Sequence, residues 1–159
     1  MRVRAAHGGD AVAIATVYNQ GVEERVATFQ PEPVEPEAFS ERIEAGELFL
    51  VAEEGTDVVG VAWVSDYDPA HDYYAGVGEV TLYVERASRR ARTGRMLLEA
   101  IGTQAASAGR HKLVAKIFAS NEPSLALFDS SDYRQVGVHR RHGRLDEEWK
   151  DVVVVERLL

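Results

Sequence analysis

Gly78-Glu79-Val80-Thr81-Leu82-Tyr83-Val84-Glu85-Arg86-Ala87-Ser88-Arg89-Arg90-Ala91-Arg92-Thr93-Gly94-Arg95-Met96-Leu97-Leu98 is the stretch on which the fold turns. Val80, Leu82 and Val84 alternate with Glu79, Thr81 and Tyr83, the period of two of a half-buried strand rich in β-branched and aromatic side chains. Arginines follow at 86, 89, 90, 92 and 95. Met96, Leu97, Ala100 and Ile101 then fall at helical spacing, and Gly109 offers a stop. The run reads strand, basic loop, helix. A loop so placed sits at a helix N-terminus, where unpaired N–H groups and the positive end of the helix dipole favour an anion. The residues alone leave two readings open, an anion cradle or a solvated arginine-rich surface. No Gly-Lys-Ser/Thr closes the loop, so it is not a P-loop, and Gly94 stands alone, so it is not a dinucleotide fingerprint.

The remaining sequence bounds the function. A chain of 159 residues without an internal repeat or linker reads as a single domain, 1–159. It has no cysteine, which is compatible with a reducing compartment. The start, Met1-Arg2-Val3-Arg4, leads into an amphipathic pattern, so neither a signal peptide nor a membrane span is expected and the cytoplasm is the default location. The net charge of −8 argues against nucleic-acid binding, which draws on lysines and arginines set against phosphates. Positive charge gathered in one loop of an acidic body suits a small anionic cofactor better.

Outward from the central stretch, Arg2 to Ala6 reads as a strand. Asp10 reads as the N-cap of a helix carrying Val12, Ile14, Val17 and Tyr18 and ending near Gly21. Pro31 and Pro33 make residues 28–33 a loop, and Pro36 opens a second helix with Phe39 and Ile43 inward. Apolar runs at 48–53 and 58–65 flank Glu54-Gly55-Thr56-Asp57 as a hairpin. The loop from Asp66 to Tyr74 is dense in aromatic and acidic groups and is a candidate substrate site. Lys112–Phe118 is another strand, Asn121 caps a helix through Leu125, Leu127 and Phe128, and strands at 133–141 and 149–157 close the chain. His139 and His142, in a strand and a turn, have no third ligand at metal-binding spacing. The order β-α-α-β-β-β-α-β-α-β-β implies a mixed sheet with helices on its faces.

With these motifs the chain resembles the GNAT superfamily of N-acetyltransferases, whose loop pattern is Gln/Arg-x-x-Gly-x-Gly/Ala; Arg89 and Gly94 match it. Glu79-Val80-Thr81-Leu82-Tyr83-Val84, Asn121-Glu122-Pro123-Ser124 and Trp149-Lys150-Asp151-Val152 are similar to segments of phosphinothricin acetyltransferase-like enzymes. The resemblance implies an α/β fold of the acyl-CoA N-acyltransferase type, with a central mixed, mostly antiparallel sheet flanked by helices. It implies acetyl-CoA as co-substrate, no metal, a homodimer, and a small-molecule primary amine as acceptor. Glu79 would be the base that deprotonates the amine, and the backbone N–H of Leu82 would face the oxyanion. Leu82, Val84, Asn121 and Ser124 would meet the pantetheine arm, while Arg89, Arg90, Arg92, Thr93, Gly94 and Arg95 would hold the phosphates.

Departures from the family pattern carry their own expectations. Arg92 replaces the first loop glycine, and an arginine is expected neither to adopt positive φ nor to let a phosphate approach closely. Phe128 stands where relatives carry a proton-donating tyrosine or histidine, leaving the leaving thiolate to solvent, Tyr133 or another hydroxyl. Asp132 replaces a glycine after that helix, a mild change because aspartate visits the left-handed region. Basic substrate-loop residues of relatives give way to Asp68, His71 and Asp72, so Phe29, Tyr67, Tyr73 and Tyr74 are expected as an aromatic wall for an amine, with an aspartate holding a cation. Arg92 and Phe128 together motivate the alternative of a non-catalytic acyl-CoA-binding module.

Overall fold

The alternation around Glu79 forms β4 (Val77–Val84), the middle strand of a seven-stranded sheet. The computed structural model describes residues 1–89 and 92–159. Before β4 come β1 (Arg2–Ala5), α1 (Ala11–Glu24), α2 (Pro36–Glu44), β2 (Leu48–Glu54) and β3 (Asp57–Asp66). After it come α3 (Thr93–Ser107), β5 (Lys112–Phe118), α4 (Glu122–Asp129), β6 (Arg134–Leu145) and β7 (Glu148–Leu158). The strand order is β1-β2-β3-β4-β5-β7-β6. Each neighbouring pair is antiparallel except β4 with β5, which are parallel because α3 carries the chain back between them. The mixed, mostly antiparallel sheet is as expected.

Helices cover the two faces unequally. On one, Leu97, Leu98, Ile101 and Ala105 of α3 are fully buried against Ala62, Val80, Leu113 and Ile117, each large side chain contributing about 1.5–3 kcal/mol of burial. On the other, Ile14 and Val17 of α1 and Phe39 of α2 pack on Phe49, Val51, Val61, Trp63 and Tyr83. That second layer covers β2 to β4. Beyond it, Lys116, Arg134 and His139 are exposed on the same face, so an uncovered strip of sheet begins beside β4.

Two boundaries depart from expectation. α1 continues past Gly21 to Glu24 because this glycine serves packing: a Cβ there would lie 2.7 Å from the Tyr83 ring. The stop is made instead by Arg25 in the left-handed conformation, φ 58°. β6 runs to Leu145, and its register shifts between His139 and Gly143 so that 140–142 bulge opposite Asp151, whose carboxylate accepts the Arg141 N–H at 2.8 Å. His139 and His142 therefore both lie in the strand, their rings stacked at 4.3 Å. Asp10 precedes α1 as expected, but its carboxylate accepts from the Arg4 guanidinium at 2.8 Å and makes no side-chain cap to α1. Asp132 adopts φ 66°, the left-handed geometry expected there.

Candidate active site

β3 follows β4 as far as Gly60↔Val84, whereas β5 pairs with β4 at Val77↔Lys112, Gly78↔Leu113 and Glu79↔Val114 and then parts from it. The Glu85 N–H donates to the Val59 carbonyl at 2.8 Å and the Tyr67 N–H to the Val77 carbonyl at 3.3 Å. Antiparallel ladders alternate, so odd-numbered residues of β4 bond to β3 and even-numbered ones turn their backbone groups the other way. Beyond Glu79 those groups meet no strand. Leu82 lines a cleft shared with Glu79, Thr81, Lys116, Asn121, Ser124 and Phe128 among others, and its N–H, like that of Val84, turns away from β3.

Side-chain alternation puts Glu79 and Thr81 on the face of Tyr83, the α1–α2 side. Glu79 Oε2 lies 3.4 Å from Lys116 Nζ, with the two side chains 28% and 50% exposed; water reaches both groups, so a proton can leave. Lys116 is a residue that sequence reading missed. Its signal was a charge in the otherwise apolar run Leu113-Val114-Ala115-Lys116-Ile117-Phe118. Tyr83, by contrast, is sealed in the aromatic cluster, and burial pushes its phenol well above the usual range.

Across the cleft, Asn121 caps α4, its Oδ1 accepting the Ser124 N–H at 3.3 Å. Phe128 is buried in the cleft wall and packs edge-to-face on Tyr133 at 4.9 Å. The Tyr133 hydroxyl is not part of the lining. It is buried without a hydrogen-bond partner among the described residues, and desolvation pushes it up to about 12.

The basic loop is less free than its arginine count suggests. Arg89 donates through Nε to the Val84 carbonyl at 3.1 Å and through Nη1 and Nη2 to Glu24 at 2.6 and 2.9 Å. Arg86 also reaches Glu24, at 3.2 Å, and Arg95 pairs with Glu99 at 3.0 Å. The Arg89 guanidinium, helped by Arg86 and opposed by burial, holds the Glu24 carboxyl below its usual range. Arg90 lies outside the described residues. Arg92 is exposed and has no carboxylate partner among the described residues.

Arg92 also corrects the expectation about its backbone: it adopts φ 58° and ψ −7°, the conformation a glycine would supply. The fold imposes the turn on a residue that pays for it in strain. Gly94 lets Leu127 pack close, since a Cβ there would lie 2.8 Å from the Leu127 methyl. Thr93 is buried, its hydroxyl turned toward the Ser88 carbonyl at 3.5 Å. Arg92, the N-cap of α3, makes no side-chain cap hydrogen bond among the described residues. Backbone donors at that helix start suit a pyrophosphate, and the edge of β4 suits an amide-bearing arm, so the residues present fit acetyl-CoA.

The expected aromatic wall is split. Phe29 packs on Phe118 at 4.7 Å, near Gly143, on the face that carries Lys116. Tyr67, Tyr73 and Tyr74 pack on one another in the β3–β4 connection at 5.5 and 4.7 Å, exposed and away from the cleft lining. Asp68 is engaged by His71 Nδ1 at 2.8 Å.

Residues 3–154 match the family described as the acetyltransferase (GNAT) domain. A phosphinothricin N-acetyltransferase of Streptomyces coelicolor is 30% identical, over 100% of this chain and 96% of its own. The ribosomal-protein-alanine N-acetyltransferase of Brucella melitensis superposes with a TM-score of 0.94 at 28% identity, covering 100% of both chains. YncA of Salmonella typhimurium, solved with its cofactor acetyl-CoA, superposes with a TM-score of 0.93 at 28% identity, over 100% of this chain and 94% of its own. With its strands parted at Glu79 beside the start of α3, the chain belongs to the GNAT acetyltransferase family and is an acetyl-CoA-dependent N-acetyltransferase.

Proposed function

We propose that the protein transfers the acetyl group of acetyl-CoA to the primary amine of a small molecule, an amino acid or similar amine, with Glu79 as the base. The observation that carries this reading is the parting of β4 from β5, which gathers Glu79, the Leu82 N–H and Asn121 on one cleft. When bound, acetyl-CoA supplies an activated acetyl thioester. The Arg92 guanidinium and the start of α3 hold its phosphates, while the Val84 N–H and Asn121 hold its arm. Glu79 takes a proton from the incoming ammonium, directly or through water, because a protonated amine has no lone pair to give. The Leu82 N–H donates to the oxygen on which negative charge develops. Phe128 cannot protonate the departing thiolate, so that proton comes from solvent.

The phosphinothricin-acetylating relative supports a small acceptor. We place the protein in the cytoplasm as a homodimer of single-domain chains. The family resemblance supports this, as do exposed Val136, Val138 and Trp149 on the β6–β7 hairpin. No helix among the described residues is long and apolar enough to cross a membrane. The test is a panel of amino acids, simple amines and peptides with N-terminal alanine, followed by release of free thiol from acetyl-CoA. Turnover with members of the first two groups supports the reading; turnover confined to the peptides overturns it.

A further inference from the structure

We propose that Lys116 is a self-acetylation site, an amine built into the cleft that takes the acetyl group when no acceptor is present. The inference rests on the reading of Glu79 as the base. The chain has three lysines, Lys112, Lys116 and Lys150, against fifteen arginines, and a guanidinium stays protonated and is no acyl acceptor. Lys112 is tied to Glu156 at 2.8 Å and is 28% exposed; Lys150 is tied to Glu148 at 3.4 Å and is 18% exposed. Lys116 differs from both. It lines the cleft toward which the Leu82 N–H turns, it is half exposed on a flexible stem, and its partner is Glu79 itself.

An acceptor amine has to approach the same carboxylate from the cleft, so Lys116 Nζ occupies the kind of position that amine needs. An exposed ion pair of this sort contributes little to stability. Strand alternation turns Lys116 away from the core side chains of Ala115 and Ile117 and into the cleft. In the transfer, Glu79 accepts a proton from the Lys116 ammonium and the freed nitrogen attacks the thioester carbon. The new C–N bond replaces the C–S bond, the nitrogen sheds its second proton to solvent to give the amide, and CoA leaves as the thiolate, protonated by solvent. The product is a neutral amide on Lys116, which leaves Glu79 without the cation it pairs with among the described residues. The reaction is stoichiometric, one acetyl group per chain.

The experiment incubates the full-length protein with acetyl-CoA carrying a deuterated acetyl group, without acceptor, and locates the label by peptide mass spectrometry. Label should enter Lys116 about tenfold or more faster than Lys112 or Lys150, and Glu79→Gln should slow it about tenfold or more. Lys116→Arg, checked for folding by circular dichroism, should abolish the fast incorporation. Labelling of Lys116 no faster than of the other two lysines, or equally fast in urea-unfolded protein, would overturn the proposal, as would an undiminished rate in Glu79→Gln. Parallel assays with an added amine separate the two readings: transfer to that amine, with Lys116 left unlabelled in the acceptor-free incubation, overturns self-acetylation and leaves the proposed function standing.

Discussion

Glu79 and Lys116 face each other across the gap that opens when β4 and β5 part, Oε2 and Nζ 3.4 Å apart. The pairing of these strands ends at Glu79↔Val114, so the carboxylate stands at the last point of contact and the ammonium two residues beyond it. The ion pair thus marks the inner end of the cleft in which backbone donors, a capping asparagine and a base converge.

Arg92 should be a phosphate ligand held at a conformational cost. Among the described residues, its neighbours Arg86, Arg89 and Arg95 are occupied by Glu24 and Glu99, which leaves Arg92 as the loop guanidinium without a carboxylate partner there. Arg92→Gly should relieve the left-handed strain and stabilise the apoprotein by up to about 1 kcal/mol, while weakening acetyl-CoA binding roughly tenfold, about 1.4 kcal/mol. Calorimetric titration and thermal melts at one fixed salt concentration check both signs.

Tyr133→Phe removes a buried hydroxyl that has no hydrogen-bond partner among the described residues. Unsatisfied polar groups cost about 1–3 kcal/mol, so the variant should melt at the same or a higher temperature. Its turnover should match the wild type, since the hydroxyl does not line the cleft. A large loss of turnover would make Tyr133 the proton donor after all.

Stability should fall on acidification. Asp10, held low first by hydrogen bonds from Arg4, Glu24 by Arg89, Glu53 by Arg4 and Glu156 by Lys112, all have depressed carboxyl pKa values in the fold. A depressed group stabilises the fold above its unfolded value and loses that contribution as pH falls through the folded one. Melting temperature should therefore hold from neutral pH to about 5 and drop below about pH 4. Asp10→Asn should lower the plateau and flatten the descent.

Much of this was legible in the residues, for local reasons. β4 announced itself because Val80 and Leu82 pack on the α3 side while Glu79 and Thr81 line the cleft, and a strand with one face covered alternates. Pro36 and Asn121 marked helix starts because their effect acts within one turn. Gly21 misled because its partner, Tyr83, is remote in sequence: a packing glycine and a helix-ending glycine look alike until the neighbour is known. The true length of β6 was hidden for a related reason. It is an edge strand, exposed on most positions and bulged at 140–142, so no buried face imposes a period.

In the site, Glu79 was found through its strand and the family motif. Lys116 was not, because its meaning depends on a parallel strand brought alongside by a crossover helix. The arginine loop was overrated as free charge because Glu24, which quenches Arg86 and Arg89, comes from α1, 62 and 65 positions away.

The most direct test of the account is the rate of thiol release by Glu79→Gln, measured beside the wild type with the best acceptor of the amine panel. The amide keeps the shape of the carboxylate but cannot take a proton. Turnover should fall by about 10²- to 10⁴-fold, with acetyl-CoA affinity by calorimetry nearly unchanged because the phosphate and arm contacts lie elsewhere. Wild-type turnover in Glu79→Gln would contradict the account, showing that the amine loses its proton to some other group and that the carboxylate at the parting of β4 and β5 is not the base.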